Sequence, residues 1–271
     1  MNTVIIGNGI VALSIAFRLL QRAGASDRII VVGPKARPGS ATLAAAAMLN
    51  SFAEIDAGGL ESELDLFRFE MSHLATRMWP KFELELIEAA GDRLPHGCSK
   101  CLGCAGGGCF DSGTYVVNNA AADDLDDENF DAILQALDDF NEQHALVSPS
   151  DIPNYNPEQH CRASRAVYIH NEGWFNPRLM LEKIDALLAR DARVEFVDEA
   201  ADRLLSEQGR IVAVQTDSGL RVSGDDYVLA SGASLTDVLA RSALDLGIQR
   251  IFYGVGVSLE IRSPDHPHQK C

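Results

Sequence analysis

Four cysteines, Cys98, Cys101, Cys104 and Cys109, lie in the stretch GCSKCLGCAGGGCF, separated by two, two and four residues. Thiolates so spaced are the material of a metal or iron-sulfur site, and glycines at 103, 106, 107 and 108 permit the sharp turns that ligation needs. The same glycines suit a plain surface loop. Ferredoxin loops share the two consecutive short gaps but draw a remaining ligand from elsewhere, and zinc sites pair two knuckles across a longer segment. Three readings stand: an iron-sulfur cluster or Zn, a redox or disulfide-forming thiol group, and inert cysteines. Cys161 and Cys271 add ligands only if the fold brings them close.

A second constellation opens the chain. In TVIIGNGIVA, Gly7 and Gly9 follow a β-branched run from Thr3 to Ile6, and Ile10, Leu13, Phe17 and Leu20 then recur at helical spacing. After a helix stop near Gly24, RIIVV from Arg28 to Val32 supplies a second buried strand. This βαβ pattern marks an α/β, Rossmann-like dinucleotide site. Gly7 permits the tight turn, Gly9 lets a pyrophosphate approach the backbone, and Ala12 lets the helix pack close to the strand. The helix amino terminus faces the phosphates with free N–H groups and a positive dipole end. A carboxylate for the adenosine ribose is missing, because the second strand ends in Gly33 and Pro34. Adenosine is then held more weakly or through backbone groups, and Lys35 is either a phosphate partner or an ordinary surface lysine.

The rest of the chain must position these groups. With 271 residues, 46% of them hydrophobic, it can bury one large core or two smaller ones. A formal charge of -16 repels nucleic acid and anionic membrane surfaces. No apolar run approaches a membrane span and the start lacks signal-peptide features, so the expected location is cytoplasmic, with reduced cysteines. Residues 62–90 read as helical, with Leu64, Phe67, Met71, Leu74 and Met78 at helical spacing until Trp79-Pro80 marks a break or new start. TYVV reads as a strand. Asp123, Asp124, Asp126, Asp127 and Glu128 lack the glycine and spaced glutamate of a calcium loop, and read as a solvated helix start. SPSDIPNYNP is an extended connector.

The segment GPKARPGSATLAAAAMLNSFAEI, from Gly33 to Ile55, resembles the stretch after the second strand in the D-amino-acid oxidase-like flavoprotein family, on its glycine oxidase and sarcosine oxidase branch. In that family the backbone of a small-residue segment runs beside the flavin. The matching positions here are Ala41, Thr42, Ala45, Ala46, Ala47 and Met48, with Ala47 where the family generally has glycine. Taken alone, LAAAAML is equally a small-residue helix turn in the core. A second block, AVYIHNEGWFNPRLMLEKI, is similar to the family's return into the cofactor domain, with Gly173, Asn176, Pro177 and Leu179 matching. A helix and the strand RVEFVDEA follow, where the family holds the adenine by a backbone group near Val197. GRIVAVQTDSGLRVSGDDYVLASGA then reads as a hairpin and a strand, and the resemblance sets its final turn, at Ser231 and Gly232, against the cofactor.

This resemblance covers most of residues 1–262. It implies FAD contacts from Gly7, Gly9, Ile10, Ala12, Gly33, Pro34, Ala41, Thr42, Ala45, Ala46, Ala47, Met48, Val197, Ser231 and Gly232. It also implies a discontinuous FAD-binding domain, 1–80 and 166–240, with an inserted α+β substrate lobe, 81–165 and 241–271, that carries the cysteine loop. The expected reaction is oxidation of the C–N bond of a small amine or amino acid by hydride transfer to flavin. GIQRIFYGVGVSLEIRSPDHPHQKC resembles the start of the second half of the substrate lobe. Family members continue for about a hundred residues more, within the usual domain-size range. The chain therefore reads as a fragment, a truncated frame, one half of a split enzyme or a degenerate relative. The family's carboxylate-clamping arginine is expected beyond residue 271, and no catalytic residue is named. Arg250, Arg262, His170, His266 and His268 read as surface groups, and Tyr253 as a pocket or core aromatic. The alternative is a non-catalytic or partner-dependent fragment with a partner chain completing the fold. A nicotinamide-binding domain is disfavoured by SATLAAAAML.

Overall fold

The structure is a computed structural model and describes residues 1–90, 110–119, 121–242, 244 and 247. In chain order the elements are β1 (Asn2–Ile6), α1 (Ile10–Leu20), β2 (Arg28–Val32), α2 (Ala41–Ala44), β3 (Met48–Leu49), α3 (Glu63–Ala90), β4 (Phe110–Asn119), α4 (Asp124–Asp139), β5 (His144–Val147), β6 (Ala163–Phe175), α5 (Pro177–Leu188), β7 (Val194–Val197), β8 (Ala201–Glu207), β9 (Arg210–Thr216), β10 (Arg221–Val222), β11 (Asp226–Leu229) and α6 (Leu235–Ser242). Packing divides them into two units. One gathers Met1–Ala45, residues 89–90 and the described residues from Pro177 onward, the other Ala46–Glu88 and the described residues from 110 to 176. These divisions differ from the domain boundaries expected at 80/81 and 165/166. β6 pairs with β3, β4 and β5, and that pairing draws residues on both sides of the expected boundaries into one unit.

The first unit carries a parallel sheet in the order β11-β1-β2-β7. Register places Ile6 opposite both Leu229 and Val32, so the carboxyl ends of these strands lie level. Thr3 to Ile6 are all buried, as expected of a central parallel strand covered on both faces. Helix α1 buries Ala12, Leu13, Ala16, Phe17 and Leu20, and the two alanines keep that face thin. An antiparallel sheet, β10-β9-β8, completes this unit. Its β8–β9 turn has positive φ at both Gln208 (51°) and Gly209 (76°), the backbone of a two-residue hairpin loop that matches strand twist. Strand β8 is absent from the sequence reading. Val4, Ile6 and Val32 share one core cluster with Leu204, Val214, Val222 and Val238.

In the second unit β4 runs along one edge of β6 for its whole length, so β3 and β5 share the other edge. Phe52, Phe69, Phe130, Ile133, Leu137, Val167 and Ile169 form its core. The acidic cluster is a helix start: Asp123 and Asp126 form a reciprocal capping box at the head of α4. Helix α3 continues through Pro80, where the sequence marks a break. Trp79 stacks on Phe175 (4.5 Å between centroids) and meets Phe82 edge-on, which anchors the turn that lacks a proline hydrogen bond. The face of α3 that is buried is Phe69, Thr76, Glu83 and Leu86. Leu64, Phe67, Met71, Leu74 and Met78 are each more than 50% exposed. Among the described residues no helix is long and apolar enough to cross a membrane.

Candidate functional site

The first unit builds its site at the level carboxyl ends of β1, β2 and β11. Gly7 leaves β1 with φ +119°, and its N–H donates to the Val32 carbonyl at 2.8 Å. A Cβ there would stand 2.2 Å from the Ala230 carbonyl oxygen, so the turn passes against the end of β11 at a distance only glycine allows. Gly9 is the N-cap of α1 and brings no side-chain cap. By helix geometry the amides from Gly9 to Ala12 have no intrahelical acceptor. The Ile10 amide reaches the Thr42 hydroxyl at 3.3 Å, the same atom a Cβ at Gly9 would meet at 3.3 Å.

Two further observations suit a phosphate-bearing or hydroxyl-bearing ligand at this end. Ser231, just past β11, has a buried hydroxyl oxygen with no hydrogen-bond partner. Gly232 follows with φ +57° and opens a short turn. An unpaired buried polar atom beside two backbone cradles is what a dinucleotide site without its ligand would contain. The residues present therefore fit such a group.

The end of β2 is shaped by residues that sequence reasoning missed. Gly33 is crowded by Asn8, whose Cγ would lie 2.8 Å from an added Cβ, so a side chain here would require the Asn8 side chain to move. The Asn8 amide donates to the Pro34 carbonyl at 2.7 Å. Arg37, at φ +49°, donates from Nε to the Asn8 carbonyl (2.7 Å) and from Nη2 to both carboxylate oxygens of Asp185 (2.7 and 2.8 Å). Its side chain is only 10% exposed, so Arg37 braces the glycine turn against α5. Lys35 is exposed, and its backbone amide binds the Asp198 carboxylate at 2.5 Å. The Val197 carbonyl accepts the amides of both Gly33 and Glu199, which leaves it little capacity for an adenine. The sequence signal for this brace is faint: one arginine in a loop, its acidic partner 148 residues away.

In the second unit, Ala46 is exposed, Ala47 and Met48 are half-buried, and Ala47 has φ +55°. This left-handed conformation favours glycine, the residue the resemblance would place here. Phe175 donates to the Ala47 carbonyl (3.1 Å), and Met48 and Leu49 pair with Trp174 and Gly173. In the first unit, Ala41 and Thr42 lie in the short helix α2 and Ala45 is extended and exposed. Just beyond β3, the Glu172 carboxylate accepts the amides of Ser51 (2.5 Å), Phe52 (2.5 Å) and Ala53 (3.3 Å) and the Ser51 hydroxyl (3.0 Å). Burial raises the Glu172 carboxyl above its ordinary range, and the four donors offset that rise only in part. The residue escaped the sequence reading although it stands in the matched block beside Gly173. A carboxylate inside a strand that is otherwise aromatic and aliphatic is the signal that could have found it.

Among the described residues no group of three or more His, Cys, Asp or Glu could hold a metal ion. Cys98, Cys101, Cys104 and Cys109 lie outside the described residues, as do Arg250, Tyr253, Arg262, His266, His268 and Cys271. Cys161 is a free thiol. His170 packs edge-on against Tyr168, 4.7 Å between centroids, and its backbone amide binds the Gln143 carbonyl.

A family model described as FAD dependent oxidoreductase (DAO) matches residues 2–270. No curated protein matches the chain. Among solved structures, glycine oxidase from Geobacillus kaustophilus is similar with TM-score 0.66 and 18% identity, over 90% of this chain and 58% of that one. Iminodiacetate oxidase from Chelativorans sp. BNC1 gives 0.64 and 18%, over 88% and 57%. L-proline dehydrogenase from P. horikoshii gives 0.59 and 16%, over 90% and 56%. At these identities the likeness shows the fold, which is α/β with the Rossmann-type FAD-binding arrangement. The chain spans 56–58% of the length of these solved relatives.

Proposed function

Because the chain belongs to the FAD dependent oxidoreductase family, we propose that it binds FAD and oxidises the C–N bond of a small amine or amino acid. The observation that carries the reading is the cradle of Gly7, Gly9 and the unpartnered Ser231 hydroxyl at the amino terminus of α1. When bound, FAD supplies an isoalloxazine that accepts a hydride from the carbon beside the amine. Gly7 and Gly9 admit the pyrophosphate, and the positive dipole end of α1, with the amides of Val11 and Ala12 outside its helical ladder, complements its charge. Arg37 and Asn8 hold the turn in place, and the Ser231 hydroxyl offers a partner to the ligand. Ala41, Thr42 and Ala45 to Met48 are assigned the run beside the cofactor, with Val197 near the adenine. The first unit is assigned the cofactor-binding role and the second the substrate lobe. Cytoplasmic location is part of the proposal.

Absorbance of the purified chain, followed by anaerobic addition of small amines and amino acids, tests this reading. A flavin spectrum that bleaches with one of them is expected. A full-length chain that neither retains FAD nor takes it up in an equilibrium titration would overturn it.

A second reading, a fragment that a partner chain completes, has specific support in the exposed apolar face of α3. Light scattering shows which holds, since a chain that stays monomeric and binds no hydrophobic dye does not need a partner. A metal at the four-cysteine loop is a separate proposal supported by spacing alone, and iron, zinc and sulfide analysis decides it.

A further inference from the structure

We propose that Glu172 is a positioning residue for the flavin-side segment: its carboxylate gathers the amides of Ser51, Phe52 and Ala53 and thereby fixes the left-handed turn at Ala47 and the register of β3 on β6. The proposal rests on the assignment of Ala46 to Met48 to the run beside the flavin.

The segment has little else to hold it. β3 is two residues long, paired with β6 only at Met48–Trp174 and Leu49–Gly173, with the Phe175–Ala47 hydrogen bond beyond. Ala47 at φ +55° occupies a conformation that a Cβ disfavours, so the chain around it must be held from outside. Glu172 stands on β6 next to Gly173, the partner of Leu49, and is 1% exposed. It captures the three residues that follow β3 and Asn50, closing a clamp whose other jaw is the Phe175–Ala47 bond. Among the described residues no ion pair reaches it, so its charge is met by N–H and O–H dipoles alone. Oε1 takes the Ser51 and Phe52 amides and the Ser51 hydroxyl, and Oε2 takes the Ala53 amide. That same hydroxyl lies 3.5 Å from Nδ1 of His73, whose Nε2 is 3.7 Å from Glu142, so a polar chain continues behind the clamp.

The four groups hydrogen-bonded to Glu172 all donate to it, an arrangement that suits an acceptor-only carboxylate. Glutamine has the same shape but would turn an NH2 toward those donors, leaving at least the half-buried Ala53 amide unpaired. The test uses the full chain, wild type and Glu172→Gln, with ADP and FAD as probes. ADP reports on the glycine turn alone, and FAD adds the ring. The expected result is an ADP affinity unchanged within about twofold, an FAD affinity lower by about tenfold, and a shifted flavin visible band. Hydrogen exchange at the amides of 46–53 should accelerate by about tenfold or more in the variant without ligand. Ser51→Ala, which keeps the backbone donors, should leave FAD affinity within about twofold. If ADP and FAD affinities fall together, or exchange at 46–53 does not change, Glu172 is not a positioning residue. If wild type binds FAD and Glu172→Gln binds it equally well with the same spectrum, only this proposal fails. If wild type takes up no FAD, the assignment beneath it fails and the proposal with it.

Discussion

The two units use apolar residues differently. In the first, β1 and the inner face of α1 bury their apolar residues, with Val4, Ile5, Ile6, Ala12 and Leu13 at 0% exposure, while Val11 on α1 and Phe196 on β7 stay in solvent. In the second, one helix turns Phe69 and Leu86 inward and leaves Leu64, Phe67, Met71, Leu74 and Met78 in solvent. Periodicity is thus evidence of a helix but not of which stripe finds a partner. A strand covered on both faces leaves less choice, because nearly all of its side chains are buried and so favour apolar types.

The sharpest way to break the contrast is Gly7→Ala. Added to φ +119°, a Cβ 2.2 Å from the Ala230 carbonyl should cost several kcal/mol, about 3 or more, and abolish ADP binding. Denaturant midpoints and an ADP titration measure both. A tolerated alanine would mean that the first unit is looser than its packing indicates. Next in size is a matched pair inside the second unit. Leu137→Ala, at 0% exposure, should cost about 3 kcal/mol, whereas Leu74→Ala, 53% exposed, should cost under about 0.5 kcal/mol. A large loss at Leu74 would show that the exposed face of α3 is covered in solution.

Much of the first unit was legible in the sequence, and the physical reason is local. TVII and RIIVV are strands because continuous β-branched runs suit a doubly covered sheet, and both begin and end within a residue of their expected bounds. The Asp123 helix start is equally local, since its capping box closes within four residues. The Arg37–Asp185 brace and the Glu172 clamp were not legible, because each joins groups more than a hundred residues apart. Strand β8 was missed because ADRLLSE lacks the alternation of a half-buried strand, its polar residues falling in the adjacent pairs Asp202-Arg203 and Ser206-Glu207, and it pairs on one edge only.

Smaller effects sharpen the comparison. Asp191, in the first unit, is held down to about 2 by the Arg193 guanidinium and amide. Its folded value lies below the unfolded one, so its contribution is present above about pH 4 and is lost as pH falls toward 2. With solvent screening that contribution should be under about 1 kcal/mol. Urea midpoints of wild type and Asp191→Asn across this range should converge at the acid end. The smallest expected effect is in the second unit: Ala47→Gly should stabilise by about 0.5 kcal/mol, the relief of a left-handed alanine less the added chain entropy of glycine. Thermal melts detect it, and a destabilised variant would mean that the clamp on 46–53 bears no strain.

By itself the sequence determined the elements whose cause lies within a few residues: the β-branched strands, the glycine turn, the acidic helix cap and the order of blocks that marks the family. Only the tertiary structure decided which face of α3 is buried, that the Asn8 side chain packs against Gly33, and which distant charges brace the two turns. Those outcomes depend on what the folded chain places against each residue, and neither composition nor spacing encodes that neighbour.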